Sequence, residues 1–351
     1  MKRLLIIIDG MDDEPIPAFG GQTPSYHAHM PALRYMRQHG VVSRRTTIPP
    51  GCVAGTEVAV LRILGYDLQA GCSSRAWFEA LGAGVPVSEA DLCLRCNLIS
   101  HRNGVVTSHS GAGISAEECA QIIDLLNTNF GTGKMEFHGT GDFRTLLILR
   151  DCNANVAATP THTLIGRTLS ELFVSSDDTA LAGTLNDIII QSAKVLAGHK
   201  ANGISLWAPG RPMQFPRQTE GAVIAGVNIM KGIGRAVGMT VYEVEGATGD
   251  EDTDYQAKYN AAMRALREHD FVLLHVEAPD EASHQRNSLK KVRILEDIDR
   301  QILTPLLREE INVDVTVQAD HVTSSISGRH LDWPVEVTQF KIRNKTKDHE
   351  K

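Results

Sequence analysis

Apolar runs that stop abruptly at acidic residues set the rhythm of this chain. Residues 4–8 (Leu4-Leu5-Ile6-Ile7-Ile8) are apolar without alternation, the pattern of a strand covered on both faces, and Asp9-Gly10 ends the run with turn chemistry. Residues 271–276 and 313–318 are two further runs of strand length, the first leading into Pro279-Asp280 and the second, with valine at 313, 315 and 317, into Asp320-His321. Segments with helical spacing alternate with these runs: 31–39, closed by Gly40; 56–64, closed by Gly65; 253–268; and 289–309, where Val292, Ile294, Leu295, Ile298, Ile302 and Leu306 recur. The stretch after residue 318 reads as loop and then an edge strand to Phe340. Strands that alternate with helices in this way predict an open α/β sheet, which holds ligands beyond the C-terminal ends of its strands.

The texture changes between residues 83 and 215. Extended pieces at 91–99, 104–108, 135–138 and 144–149 alternate with helices, and Ser115 followed by Glu118 is a capping box opening a helix through Leu126. The pattern predicts an α+β domain over 83–215 inserted into a core made of 1–82 and 216–351.

Composition narrows the function only slightly. A chain of 351 residues with 42% hydrophobic and 22% charged residues is ordinary for a globular protein. A net charge of −7 gives no reason to expect nucleic acid or an anionic membrane as partner, while leaving room for a small anionic substrate. The N-terminal apolar run is too short for an export signal or a spanning helix, and no later segment reaches spanning length, so the expected location is the cytoplasm with reduced thiols. Among the six cysteines, Cys93 and Cys96 have a close spacing, but without a second pair they do not make a zinc knuckle. The sequence carries no signal for oligomeric state.

The acidic and imidazole residues change the picture. Asp9, Asp280 with His284, Asp320 with His321, and His330 all stand at or beyond predicted strand ends. Six oxygen and nitrogen donors so placed are an inventory for two divalent metals, which points to phosphoryl or sulfuryl chemistry. Thr56, at the start of a predicted helix, is either a plain N-cap or a hydroxyl presented where backbone N–H groups and the helix dipole favour an anion. Arg75, Arg95, Arg144 and Lys231 are candidates to hold phosphate or carboxylate groups. Gly232-Ile233-Gly234 lacks the third glycine of a dinucleotide signature and is read as a close approach to a ligand or a neighbouring strand.

Through Ile8-Asp9-Gly10, Gly21-Gln22-Thr23-Pro24, Leu64-Gly65-Tyr66-Asp67, Met230-Lys231-Gly232-Ile233-Gly234, Trp333-Pro334-Val335 and above all His275-Val276-Glu277-Ala278-Pro279-Asp280-Glu281-Ala282, the chain resembles the archaeal-type cofactor-independent phosphoglycerate mutases of the alkaline phosphatase superfamily. The resemblance implies an alkaline-phosphatase-like metal-binding core facing an inserted cap domain, and two divalent ions of manganese, magnesium or zinc. It implies Asp280, His284 and His330 as ligands of one metal and Asp9, Asp320 and His321 of the other, with Thr56 as the metal-bound nucleophile. Arg75, Arg144 and Lys231 fall at substrate-binding positions, the substrate being a small phosphorylated metabolite.

The chain departs from the family pattern at several points. Threonine stands where the family has serine, Gly113 where its cap has a histidine, and Thr163 where it has an aspartate. The opening Asp9 to Pro15 is similar to that of bacterial members proposed to be homoserine kinases. The leading expectation is interconversion of 3-phosphoglycerate and 2-phosphoglycerate through a phosphothreonine. The alternatives are transfer to or from another small hydroxy compound and a non-catalytic metal-binding scaffold.

Overall fold

A computed structural model describes residues 1–66, 74–158, 164–217 and 220–344. The chain divides into two compact units, Met1–Cys72 with Phe215–Lys351, and Ser73–Gln214. The inserted unit thus begins ten residues before the expected boundary at 83, because the helix Arg75–Ala83 belongs to it.

The first unit is built on a seven-stranded sheet in the order Thr240–Tyr242, Ala222–Ile224, Phe271–Val276, Lys2–Ile8, Val313–Gln318, Val335–Ile342, Val41–Arg45. The first five strands run parallel, and the last two pair antiparallel. Strand Val335–Ile342, expected at the edge, is internal, and the fully exposed strand Val41–Arg45 takes the edge instead. Alternation assigns the two faces. Leu4, Ile6, Ile8, Val272, Leu274, Val315 and Val317 pack with Leu33 and Met36 of helix Pro31–His39, Ala262 and Leu266 of helix Tyr255–Glu268, and Leu295 and Ile298 of helix Ser288–Ile298. Helix Asn228–Val237 lies against the opposite face, where a Cβ on Gly234 would stand 2.5 Å from Val223 Cγ1. Gly234 is therefore a close approach to a neighbouring strand, one of the two readings given to this motif.

The helix expected over 289–309 is broken. Ser288–Ile298 passes into a π turn at Asp299–Leu303 and a short helix Thr304–Leu306, since Pro305 has no N–H to continue the ladder. The break is put to use. Asp299 accepts from the N–H groups of Ala32 (3.0 Å) and Leu33 (2.8 Å), capping helix Pro31–His39, whose own N-cap residue Met30 makes no side-chain bond.

In the inserted unit Leu92–Arg102 pairs with Arg144–Leu149 on one side and with Gly203–Gly210, a strand not foreseen, on the other. Leu94, Cys96 and Leu98 turn into its hydrophobic core with Ile122 and Leu126 of helix Ala116–Phe130, which opens with the expected Ser115–Glu118 capping box. Cys93 and Cys96 stand three positions apart on one strand and so face opposite sides of the sheet, which rules out joint ligation of one ion.

Candidate metal centre

Three adjacent parallel strands, Phe271–Val276, Lys2–Ile8 and Val313–Gln318, end side by side, with Ile7 in register with both His275 and Gln318. The ladder runs one residue further where Asp9 N–H donates to Val276 O (2.9 Å). Asp9 and Asp320 continue the alternation of Ile7 and Gln318, so their carboxylates leave the sheet on one face. Gly10 turns the chain with φ +63°, so close to the first turn of helix Ala278–His284 that a Cβ there would lie 2.8 Å from Asp280 Cα. Asp280 and His284 are four apart on that helix and meet, with Nε2 3.1 Å from Oδ2. His330 enters from the two-residue strand His330–Leu331, paired with Val322–Thr323, and its Nε2 lies 3.4 Å from Asp280 Oδ1 and 3.0 Å from His284 Nε2. His321 Nε2 is 3.4 Å from Asp320 Oδ2 and 3.8 Å from Asp9 Oδ1. All six expected protein ligands are thereby gathered in the first unit.

Each of these imidazoles is oriented through Nδ1. His284 Nδ1 meets Gly328 O at 2.9 Å and His330 Nδ1 meets Ala54 O at 3.2 Å, and a carbonyl can only accept, so Nδ1 carries the proton in both. Thr323 Oγ1 donates to Asp280 Oδ1 (2.7 Å) and accepts from His321 Nδ1 (3.1 Å). The three Nε2 lone pairs therefore point inward, the arrangement that metal ligation requires. The oxygens of Asp9 and Asp320 and Nε2 of His321 are fully buried without a hydrogen-bond partner. Such groups are costly to leave bare, and carboxylates with imidazoles are the donor set of Mn, Mg or Zn. The residues fit two divalent cations.

The electrostatics agree. Burial, reinforced by the charges of Asp320 and Asp280, pushes the Asp9 carboxyl well up, and burial also raises Asp320. Burial opposes ionisation of Asp280, but the charges of His284 and His330 outweigh it and hold its carboxyl well below the ordinary range. Asp280 in turn overcomes the burial of His284 and pushes that imidazole up to about 9. Burial and the neighbouring His330 keep His321 well down.

Thr56 is 3% exposed and is the first residue of helix Thr56–Ile63. The N-cap is Gly55, which makes no side-chain cap, so the N-cap reading of Thr56 does not hold. The bond from His330 to Ala54 O ties the loop before Thr56 to a proposed ligand. Lys231 is engaged by Glu243 at 2.5 Å, a carboxylate it shares with Arg235.

Within the inserted unit, Arg95 lies on the sheet face opposite the core, where it pairs with the buried Glu79, donates to Asn97 Oδ1 (3.1 Å) and stacks 5.0 Å from the Trp207 ring. Arg75 reaches the same Glu79 carboxylate at 3.4 Å. Arg144 stands opposite Asn97 in the ladder and pairs with Asp142 at 2.7 Å. Burial, with Arg75 and Arg144 close by, brings the Arg95 guanidinium down to about 10 against the pull of Glu79. Two guanidiniums on one buried carboxylate, with Arg144 near Arg95 but paired with Asp142, are suited to an anion. Thr163 lies outside the described residues.

Sequence reasoning missed His275 and Glu277, which with Asp9 form a further buried group of metal-type donors. Their signal was parity: both alternate out of an apolar run, but only the register shows that they share a face with Asp9.

The family model described as 2,3-bisphosphoglycerate-independent phosphoglycerate mutase matches residues 38–202. The chain is 36% identical to the 2,3-bisphosphoglycerate-independent phosphoglycerate mutase of Methanosarcina barkeri, over 95% of this chain and 89% of that one. It is 32% identical to a probable enzyme of the same name from Geobacter sulfurreducens, over 97% and 90%. Among solved structures, a protein from Pyrococcus horikoshii superposes with a TM-score of 0.76 at 27% identity, covering 99% of this chain and 89% of that one. The cofactor-independent phosphoglycerate mutase of Thermoplasma acidophilum shares the fold, with a TM-score of 0.55 at 22% identity over 98% and 91% of the two chains. By its similarity to these relatives along nearly all its length, the chain belongs to the family of 2,3-bisphosphoglycerate-independent phosphoglycerate mutases.

Proposed function

We propose that this protein interconverts 3-phosphoglycerate and 2-phosphoglycerate by passing the phosphoryl group through Thr56. The observation that carries the reading is the inward convergence of Nε2 from His284, His321 and His330 on the carboxylates of Asp9, Asp280 and Asp320. Asp9, Asp320 and His321 would hold one divalent cation, manganese being our choice, and Asp280, His284 and His330 another. Bound there, the cations supply Lewis-acid stabilisation of phosphoryl oxygens.

Thr56 Oγ1 forms a bond to phosphorus as the bond from phosphorus to the glycerate oxygen breaks, and the threonine proton ends on that oxygen. The backbone N–H groups of the first helical turn face the incoming negative charge. Glycerate then turns, its other hydroxyl attacks the phosphothreonine, and Thr56 recovers its proton. Arg75, Arg95 and Arg144 are our candidates to hold substrate anions, and Lys231 is a further candidate that would exchange Glu243 for an anion. Cys93, Cys96, Cys119 and Cys152, which form no disulfide, fit a reducing cytoplasm, and no described helix is long and apolar enough to cross a membrane.

One observation favours a second reading, transfer to water or to another small hydroxy compound. Gly113 has φ +73° and no atom within 4 Å of where a Cβ would stand, so it supplies nothing in place of the family's cap histidine. Phosphorus NMR of manganese-loaded protein with 3-phosphoglycerate separates the two. Formation of 2-phosphoglycerate without matching free phosphate supports the mutase, and phosphate alone, or no reaction, refutes it. Thr56→Ala should abolish the phosphoenzyme while still binding metal.

A further inference from the structure

Asp9 is flanked by two imidazoles. Oδ1 faces His321 Nε2 at 3.8 Å, and Oδ2 faces His275 Nε2 at 3.4 Å. His275 is 0% exposed, and neither ring nitrogen has a hydrogen-bond partner. It differs from the three proposed ligand histidines in one respect. Their Nδ1 atoms each have an acceptor within 3.2 Å, whereas His275 Nδ1 stands 3.9 Å from its nearest carboxylate oxygen, Oε2 of Glu277. Nε2 is thus the ring nitrogen nearer a carboxylate oxygen, and a proton placed there makes His275 a donor toward Asp9 instead of a metal ligand. Behind Glu277 lies Lys258, also 0% exposed, which donates to Thr248 O at 3.0 Å and whose charge offsets that of Glu277.

We propose that His275 is a positioning residue: its Nε2, 3.4 Å from Oδ2 of Asp9, is placed to donate to that oxygen once the two groups turn into line, so that Asp9 offers only Oδ1 to the cation shared with Asp320 and His321. Glu277 and Lys258 form the neutralised backing that keeps the ring in place. The inference rests on the reading of Asp9 as a metal ligand. Partners of this kind, one shell behind a ligand, change metal affinity by roughly 10- to 100-fold when removed.

The test is a manganese titration of metal-free protein, with free Mn²⁺ read by electron paramagnetic resonance, on the wild type, His275→Leu, His275→Gln and His275→Asn. The wild type should bind two ions. His275→Leu should weaken one of them by at least about tenfold and leave the other unchanged. His275→Gln, whose amide N–H reaches the place of Nε2, should restore it, while His275→Asn, whose N–H falls at the place of Nδ1, should not. If His275→Leu does not fold, the contrast between Gln and Asn carries the test alone. Wild-type affinities in both Leu and Asn variants overturn the inference. So does a third wild-type ion lost in every variant, since His275 would then be a ligand itself. A wild type that binds no manganese overturns the metal-centre reading itself, and is distinguished by failing before any variant is compared.

Discussion

Gly10→Ala probes how the two halves of the ligand set are brought together. The substitution has two costs. At φ +63° an alanine gives up roughly 1 kcal/mol in the left-handed region. Its Cβ would also sit 2.8 Å from Cα and 3.0 Å from N of Asp280, against an ordinary contact of 3.4 Å or more. The atoms in the way are backbone, so relief requires Asp9 and the start of helix Ala278–His284 to part by about 0.6 Å, the difference between these distances. Overpacking of this kind costs about 1–3 kcal/mol, for a total of roughly 2–4 kcal/mol. A shift of that size exceeds the tolerance of about 0.2 Å on metal–ligand distances, so manganese affinity should fall at least about tenfold, roughly 1.4 kcal/mol. Gly20→Ala is the control, because Gly20 has φ +65° but nothing within 4 Å of where a Cβ would stand, and only the roughly 1 kcal/mol backbone cost applies. The assays are urea unfolding of the metal-free proteins and manganese titration. Equal destabilisation in the two variants, with manganese affinity retained in both, would refute the claim that this close approach sets the spacing of Asp9 and Asp280.

Burial raises the Asp12 carboxyl to about 6 from an ordinary 3.8. Folded protein therefore keeps a proton that unfolded chain releases, and the associated stability is present in acid and lost as pH rises through about 6. Asp12→Asn should gain on the wild type by roughly 2.4 kcal/mol between pH 4 and pH 7 in unfolding experiments, at about 1.36 kcal/mol per pKa unit, and a pH-independent difference would contradict the assignment. Glu79→Gln leaves the buried Arg95 without its carboxylate and should cost roughly 3–5 kcal/mol in urea unfolding; a loss below about 1 kcal/mol would show that the pair is not effectively buried. Burial pushes the thiols of Cys93 and Cys96 up to about 12, so at pH 8 a thiol reagent should modify the half-buried Cys152 before those two, which it should reach only on unfolding.

The parts of the fold that the sequence revealed are those where one local pattern suffices. The strand-like runs became Lys2–Ile8, Phe271–Val276 and Val313–Gln318, and the acidic and imidazole residues that follow them are the proposed ligands. The Ser115–Glu118 capping box was legible because it is made within one turn. What could not be read depends on partners distant in sequence. His275 looks like one polar interruption of a strand until its register with Ile7 puts it beside Asp9. Strand Val335–Ile342 looks like an edge until Val41–Arg45 covers it. The π turn at Asp299 makes sense only with the start of helix Pro31–His39 beside it. Thr56 pointed to a helix start, and only the backbone conformation gave the cap to Gly55.

The place of strand Lys2–Ile8 between Phe271–Val276 and Val313–Gln318 has a consequence for biogenesis. Strand Lys2–Ile8 is central to its sheet, and both its neighbours, Phe271–Val276 and Val313–Gln318, are made long after it. At roughly 5–20 residues per second it waits on the order of tens of seconds. The inserted unit, whose long strand Leu92–Arg102 pairs with Arg144–Leu149 and Gly203–Gly210, has every partner it needs well before then. During the delay Leu4–Ile8 is a nascent apolar segment without a sheet, guarded only by the charges of Lys2 and Arg3 in front and Asp9 behind. Asp320, His321 and His330 arrive later still, so the proposed ligand cluster cannot assemble until all three have been made.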